Sequence, residues 1–136
     1  MKGPIIVLDA DKGNCRELSN LLKAQDYHVI TSHSLAGLPG LIQESSCRAV
    51  ILDLDTVPIN NRQLRDLKKT YPDLYLVAVS GRSFHPELKE AMAAYIYACL
   101  CKPVDPDELI YWLKSIFCTE NTSENGPAHN EWNAFR

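Results

Sequence analysis

Five short runs of strand-forming residues punctuate the chain, and a stretch with helical spacing follows each of them. The runs are Ile5–Leu8, Tyr27–Thr31, Ala49–Leu52, Leu74–Val79 and Ile96–Leu100. Short apolar runs with little polar alternation read as strands buried on both faces. Between and after them, apolar residues recur at the spacing of one helix face. They are Cys15, Leu18, Leu21 and Leu22, then Leu35, Leu38, Leu41 and Ile42, then Leu64, Leu67 and Tyr71, then Leu88, Ala91, Met92 and Tyr95. The last stripe is Leu109, Leu113 and Ile116, with Trp112 beside it. Strand and helix alternating five times imply an α/β fold, a doubly wound five-stranded parallel sheet with helices on both faces. Local punctuation refines this. Pro39-Gly40 makes the second helix short or broken, and Pro72-Asp73 ends the third. Asp105, Pro106 and Glu108 open the last as cap, first-turn proline and capping-box acid.

At 136 residues the chain reads as one domain, 1–118, followed by a polar, flexible tail, 119–136. Trp132 and Phe135 are the apolar exceptions in that tail. A net charge of -3 offers no basic footprint for nucleic acid or an anionic membrane. No apolar run is long enough to span a bilayer as a helix, and the first run ends on Asp9, too soon for a signal peptide. The expected location is therefore the cytoplasm, with the five cysteines as reduced thiols. Cys99 and Cys101 read as small buried strand residues rather than half of a zinc site, because no second Cys/His pair lies at ligand spacing.

Parallel sheets of this kind bind ligands outside the carboxyl ends of their strands. The residues there are Asp9 and Asp11, Asp53 and Asp55, Ser80-Gly81, and Lys102-Pro103. Wet loops account for any one of these, but less well for the set. Acids, a hydroxyl and an ammonium gathered from four segments suit transfer of a phosphoryl group onto a carboxylate. One of the aspartates is the nucleophile. Lys102 and a carboxylate-held divalent cation neutralise the charge of the transferred group, and magnesium suits such oxygen ligands. Ser80 donates to the arriving oxygens. The chemistry requires Asp53 to face Lys102 across the space of one tetrahedral oxyanion. Arg82 and His85, close after Ser80, are further candidates to reach the site. Lys68-Lys69 reads as a solvated helix face.

The segments "VLDAD", "VILDLDTVP", "VAVSG", "AMAAYIYACLCKP" and "DPDEL" carry a family resemblance. From Ile5 to about Phe117 the chain resembles the receiver domain of bacterial response regulators. Asp53 follows Asp9 by 44 residues and Lys102 follows Ser80 by 22, as in that family. The resemblance implies a flavodoxin-like fold with strand order 2-1-3-4-5. It implies Asp53 as phosphoacceptor, Ser80 as switch hydroxyl and Lys102 as phosphate-binding lysine. Magnesium would be held by Asp9, Asp11, Asp53 and the backbone carbonyl of Asp55. The implied phosphoryl donor is a histidine kinase or phosphotransfer protein, and the readout a downstream effector or output domain. The implied activity is that of a phosphoryl acceptor rather than an enzyme, with at most autodephosphorylation. A homodimer through the fourth and fifth helices is compatible with it.

The pattern also departs from the family. Ala10 stands where a second adjacent acid is usual, and Asp11 replaces it only if the backbone stays extended. Cys99 takes the place of an aromatic switch residue, and Tyr97, two residues earlier, is expected on the same side of the strand. Tyr95 replaces a helix-ending glycine, so that helix end should be altered. Pro58 falls one residue late, with Asn60-Asn61 available for left-handed backbone. These departures leave a second reading, a degenerate receiver that binds a partner without phosphorylation. A third, slighter one is a haloacid dehalogenase-like phosphatase, whose first motif also reads aspartate-x-aspartate.

Overall fold

The structure, a computed structural model, describes residues 3–83 and 85–121. Its elements are β1 Pro4–Leu8, α1 Lys12–Ala24, β2 His28–Ser32, α2 Leu38–Ser45, β3 Ala49–Asp53, α3 Asn61–Thr70, β4 Tyr75–Ser80, α4 Lys89–Ala94, β5 Ala98–Cys101 and α5 Pro106–Asn121. All strand pairs are parallel, in the order β2-β1-β3-β4-β5. This is the doubly wound parallel sheet expected from the alternation of apolar runs and helical stripes, in the flavodoxin-like order that the family resemblance implies. None of the described helices is long and apolar enough to cross a membrane.

Side-chain parity along the strands builds two core layers. Ile5 and Val7 of β1, Ala49 and Ile51 of β3, and Val77 and Val79 of β4 pack on the α1/α5 side. Ile6, Leu8, Val50, Leu52, Leu76 and Ala78 pack on the α2–α4 side. Both faces of the central strands are covered, which is why their sequences are apolar without alternation. Leu109, Leu113 and Ile116 seal the α5 side and are fully buried. The same odd-numbered parity carries Asp9 and Asp53, one and two residues beyond Leu8 and Ile51, to the rim of the α1/α5 layer.

The edge strand β5 corrects one expectation. Ala98 and Leu100 are buried against α5, whereas Cys99 and Cys101 are exposed. A strand at the sheet edge with one covered face shows alternation, so these two thiols are not buried strand filler. All five cysteines are free.

Other differences are local. The second helix is broken as expected, a 3₁₀ turn at Leu35–Gly37 running into α2 with Pro39 in its first turn. Asn60 and Asn61 do not take left-handed backbone; among the described non-glycine residues Asp26 and Ser46 do. Asn60 is instead the extended N-cap of α3, in a capping box with Gln63. Asn61 reaches across to α4, its Oδ1 accepting the Ala91 N–H (2.9 Å) and its Nδ2 donating to the Glu87 carbonyl (3.1 Å). Tyr95 closes α4 at φ -118°, without a left-handed residue. Lys68 is not a solvated surface residue. Its Nζ donates to the carbonyls of Pro72 (2.9 Å) and Leu74 (2.7 Å), and its burial pulls the ammonium below the usual lysine range. Asp105 opens α5 by accepting the Asp107 N–H at 2.9 Å. α5 continues past Cys118 to Asn121. The rest of the expected tail, with Trp132 and Phe135, lies outside the described residues.

Candidate functional site

Strand parity and register bring two carboxylates together. Leu8 of β1 pairs with Leu52 of β3, so Asp9 and Asp53 leave neighbouring strands side by side. Both are nearly buried, at 4% and 5% exposure. Asp53 organises the loop that follows it. Its Oδ1 accepts the N–H groups of Asp55 (2.8 Å) and Thr56 (3.2 Å), an Asx-type turn. Asp9 does the same after β1, its Oδ1 accepting the Asp11 N–H at 2.8 Å. Thr56 joins the two loops: its hydroxyl donates to Asp9 Oδ1 (2.9 Å) and accepts the Ala10 N–H (3.1 Å). Burial pushes the Asp9 carboxyl above its ordinary range, and the adjoining Asp53 carboxylate adds to that, against the lowering effect of the Asp11 and Thr56 hydrogen bonds.

Lys102 enters from β5. Its backbone N–H extends the sheet to the Ser80 carbonyl at 2.9 Å, and the Lys102–Pro103 peptide is cis. Parity with Ala98 and Leu100 sets its side chain on the α1/α5 side, where Nζ lies 2.7 Å from Asp53 Oδ2 and 3.0 Å from Asp55 Oδ2. Partial burial would lower the lysine, but the two carboxylates outweigh it and raise its pKa. The expected space of one oxyanion between positions 53 and 102 is closed to direct contact.

The side chain of Asp55 completes the arrangement. Its Oδ1 accepts the Ser80 hydroxyl at 2.9 Å and its Oδ2 the Gly81 N–H at 2.8 Å, besides Lys102. Burial opposes ionisation of Asp55, yet the Gly81 N–H, Lys102 and Ser80 together hold its carboxyl below the usual range. Ser80 is fully buried, and its Oγ also accepts the Arg82 N–H at 3.0 Å.

The structure thus brings together Asp9, Asp53, Asp55, Ser80 and Lys102. It places Asp11 elsewhere: the chain turns there, and the Asp11 carboxylate caps α1 by accepting the Asn14 N–H at 3.0 Å. It also parts Tyr97 from Cys99. β5 begins at Ala98, so strand alternation does not extend back to Tyr97. The Tyr97 ring packs edge-on against Tyr75 and Trp112 in the α1/α5 layer, its hydroxyl 2.9 Å from Ser115 Oγ. Cys99 stays on the exposed face. Arg82 forms two 3.2 Å contacts with the Glu87 carboxylate, and His85 is buried with Nε2 3.1 Å from the Arg82 carbonyl. Thr56, the Gly81 N–H and the side-chain role of Asp55 escaped the sequence reading. A threonine shortly after a strand-ending aspartate signals a turn, but nothing signals its reach to an acid on another strand.

Among the described residues no group of three His, Cys, Asp or Glu side chains is placed to hold a metal ion. The donors that suit a hard cation are the adjoining carboxylates of Asp9 and Asp53. Two carboxylates fit magnesium, which keeps several of its waters. A cavity of about 380 Å³ opens beside Asp9, Asp53 and Lys102, floored by Ile51 and Val79 and walled by Leu18, Leu21 and Val104.

The raised Asp9 carboxyl gives a first testable outcome. An acid whose folded pKa is raised contributes most stability below its unfolded pKa and loses it as pH rises through the folded value. Ionised Asp9 is therefore a net cost at neutral pH. Asp9→Asn keeps an oxygen for the Asp11 and Thr56 donors and removes the charge beside Asp53. The variant is expected to melt about 3–6 °C higher at pH 7, the equivalent of ~1 kcal/mol. That gain should vanish near pH 3, where aspartate is protonated in both states. Thermal melts at the two pH values test it.

No protein-family model and no curated protein matches this chain. Solved structures do match. A response regulator receiver domain protein from Clostridium thermocellum is 22% identical at a TM-score of 0.76, with 88% of this chain and 97% of that one covered. A CheY-like receiver domain protein from Methanospirillum hungatei JF-1 is 17% identical at a TM-score of 0.79, over 90% and 99%. A chain of the co-crystal of the Saccharomyces cerevisiae phosphotransfer protein Ypd1 with the receiver domain of Ssk1 is 16% identical at a TM-score of 0.72, over 88% and 91%. The fold that presents this cluster of acids, hydroxyl and ammonium is thus the fold of response regulator receiver domains.

Proposed function

We propose that this chain is a cytoplasmic receiver domain that takes a phosphoryl group on Asp53 from a histidine kinase or phosphotransfer protein and passes the signal to a partner or output domain. The observation that carries this reading is the contact between Lys102 Nζ and Asp53 Oδ2, at 2.7 Å beside an open cavity. A carboxylate oxygen of Asp53 attacks phosphorus as the bond to the leaving atom breaks. From an acyl phosphate the leaving group is a carboxylate and no proton moves. From a phosphohistidine it is an imidazole, which takes up a proton. Lys102 offsets the charge on the transferred group. Magnesium, when bound at Asp9 and Asp53, would supply further positive charge there, weakly because Asp11 is committed to α1. Ser80 rearranges with the phosphoryl group, and the readout is a shift in population at the α4 and β5 face.

A second reading is a receiver-like module that binds its partner without phosphorylation. Its support is that Ser80, Gly81 and Lys102 already have an anionic partner in Asp55. Incubation with acetyl phosphate and magnesium, followed by intact mass spectrometry, separates the two. A labile phosphoryl adduct that disappears in Asp53→Asn is the expected result. No adduct at saturating acetyl phosphate would leave the phosphorylation-independent module standing.

A further inference from the structure

Asp55 sits where a transferred group would have to go. Three donors from two segments meet on its carboxylate: the Ser80 hydroxyl at the end of β4 and the Gly81 N–H next to it, and Lys102 Nζ after β5. Lys102 reaches Asp53 with the same ammonium. Hydroxyl, backbone N–H and ammonium converging from different strands is a donor set for an oxyanion. In this chain that set is already filled by an anion of the chain's own. A phosphoryl group on Asp53 carries terminal oxygens that need partners. The partners within reach of Lys102 are engaged, and a second negative charge stands beside them. The Asp55 side chain is 29% exposed, so an exit to water is open to it.

We propose that Asp55 is an internal occupant of the oxyanion site: its carboxylate fills the donors that a phosphoryl group on Asp53 needs, and must leave them for that group to be accepted. This inference rests on the phosphoacceptor reading and names how the same site is regulated. It changes the character of the switch. In the unmodified chain the Ser80 hydroxyl is already drawn to the rim. Phosphorylation then exchanges one anion for another across Ser80, Gly81 and Lys102, and the displaced Asp55 is the group that moves farthest.

The test compares the 136-residue chain with its Asp55→Ala and Asp55→Asn variants, each checked for folding by its dispersed amide spectrum. The rate of Asp53 modification by acetyl phosphate with magnesium is followed by intact mass. Removing the occupant is expected to raise the rate about ten- to a hundredfold in Asp55→Ala. Asp55→Asn, which keeps an acceptor oxygen without charge, should fall between. A second readout is the Gly81 amide proton, which should move upfield in Asp55→Ala as it loses its carboxylate acceptor. A mere loop brace predicts the opposite rate effect, since loosening the loops slows transfer. Equal or slower modification in the folded variants, or an unmoved Gly81 amide, overturns the occupant while leaving Asp53 as acceptor. Absence of adduct in all three proteins overturns the acceptor reading and the occupant with it.

Discussion

Lys102→Met is expected to lower folding stability by about 2–3 kcal/mol at neutral pH and to abolish detectable modification of Asp53. Methionine keeps the flexibility and most of the length of the side chain and removes its charge. The loss follows from what remains: Asp53, nearly buried, and Asp55 lose the ammonium that contacts both at 2.7 and 3.0 Å. Breaking a fully buried ion pair costs roughly 3–5 kcal/mol. Here Lys102 is 29% exposed, and solvent screening brings the figure down. The sign of the pH dependence follows from the two shifts. Lys102 is raised, so its contribution is present below the unfolded lysine pKa and is lost as pH climbs through the folded value. Asp55 is lowered, so its contribution is present above the unfolded aspartate pKa and is lost as pH falls through the folded value. The gap between wild type and variant should be flat from neutrality to pH 9, which lies below the lysine range, and close toward acid. Urea denaturation at pH 3, 5, 7 and 9 measures it; a gap that keeps widening toward acid would contradict the pairing.

Ile51→Ala is the other large effect. Ile51 is 1% exposed, at the centre of β3, paired with Val7 of β1 and Val77 of β4. It packs in the α1/α5 layer and floors the cavity beside Asp53. Truncation removes apolar contacts and leaves a hole that three hydrogen-bonded central strands cannot collapse around. The expected cost is about 3–4 kcal/mol, a large share of the ~5–15 kcal/mol that holds a domain together. At ~3–6 °C per kcal/mol the melting midpoint should drop by roughly 10–20 °C. Ile51→Val, which loses one methylene, should cost ~0.5–1.5 kcal/mol. Calorimetry on the pair separates packing from any effect on the rim. Similar losses in the two variants would mean that the layer relaxes around the gap.

The architecture was legible because it depends on period. Runs such as Ile5–Leu8 and Ala49–Leu52 are apolar on both parities, and the Leu109, Leu113 and Ile116 stripe has helical spacing. Either pattern survives an error of a residue or two at an element end. The rule that ligands sit at the carboxyl ends of parallel strands puts Asp9 and Asp53 at one rim. What stayed hidden depends on where loops send side chains. Asp11 reaches the metal position only if the chain stays extended, and the sequence does not decide that; α1 starts at Lys12 and makes Asp11 its cap. The apolar run from Ile96 puts Tyr97 inside the strand, but β5 begins at Ala98. Asp55 stands among the rim acids in the sequence, and the resemblance uses only its carbonyl; that its carboxylate meets Ser80, Gly81 and Lys102 is not legible there. No periodicity reports such directions.

The contact from Asn61 has a mechanical consequence. Leu88 precedes α4 and has no side-chain oxygen, so the six-residue helix starts without a cap of its own. A helix that short does not stand alone in water. Its third amide is satisfied instead from α3, a neighbour earlier in the chain. Any displacement of α4 must therefore either drag the first turn of α3 along or strand that amide, which couples two helices on one flank of the sheet into a single lever.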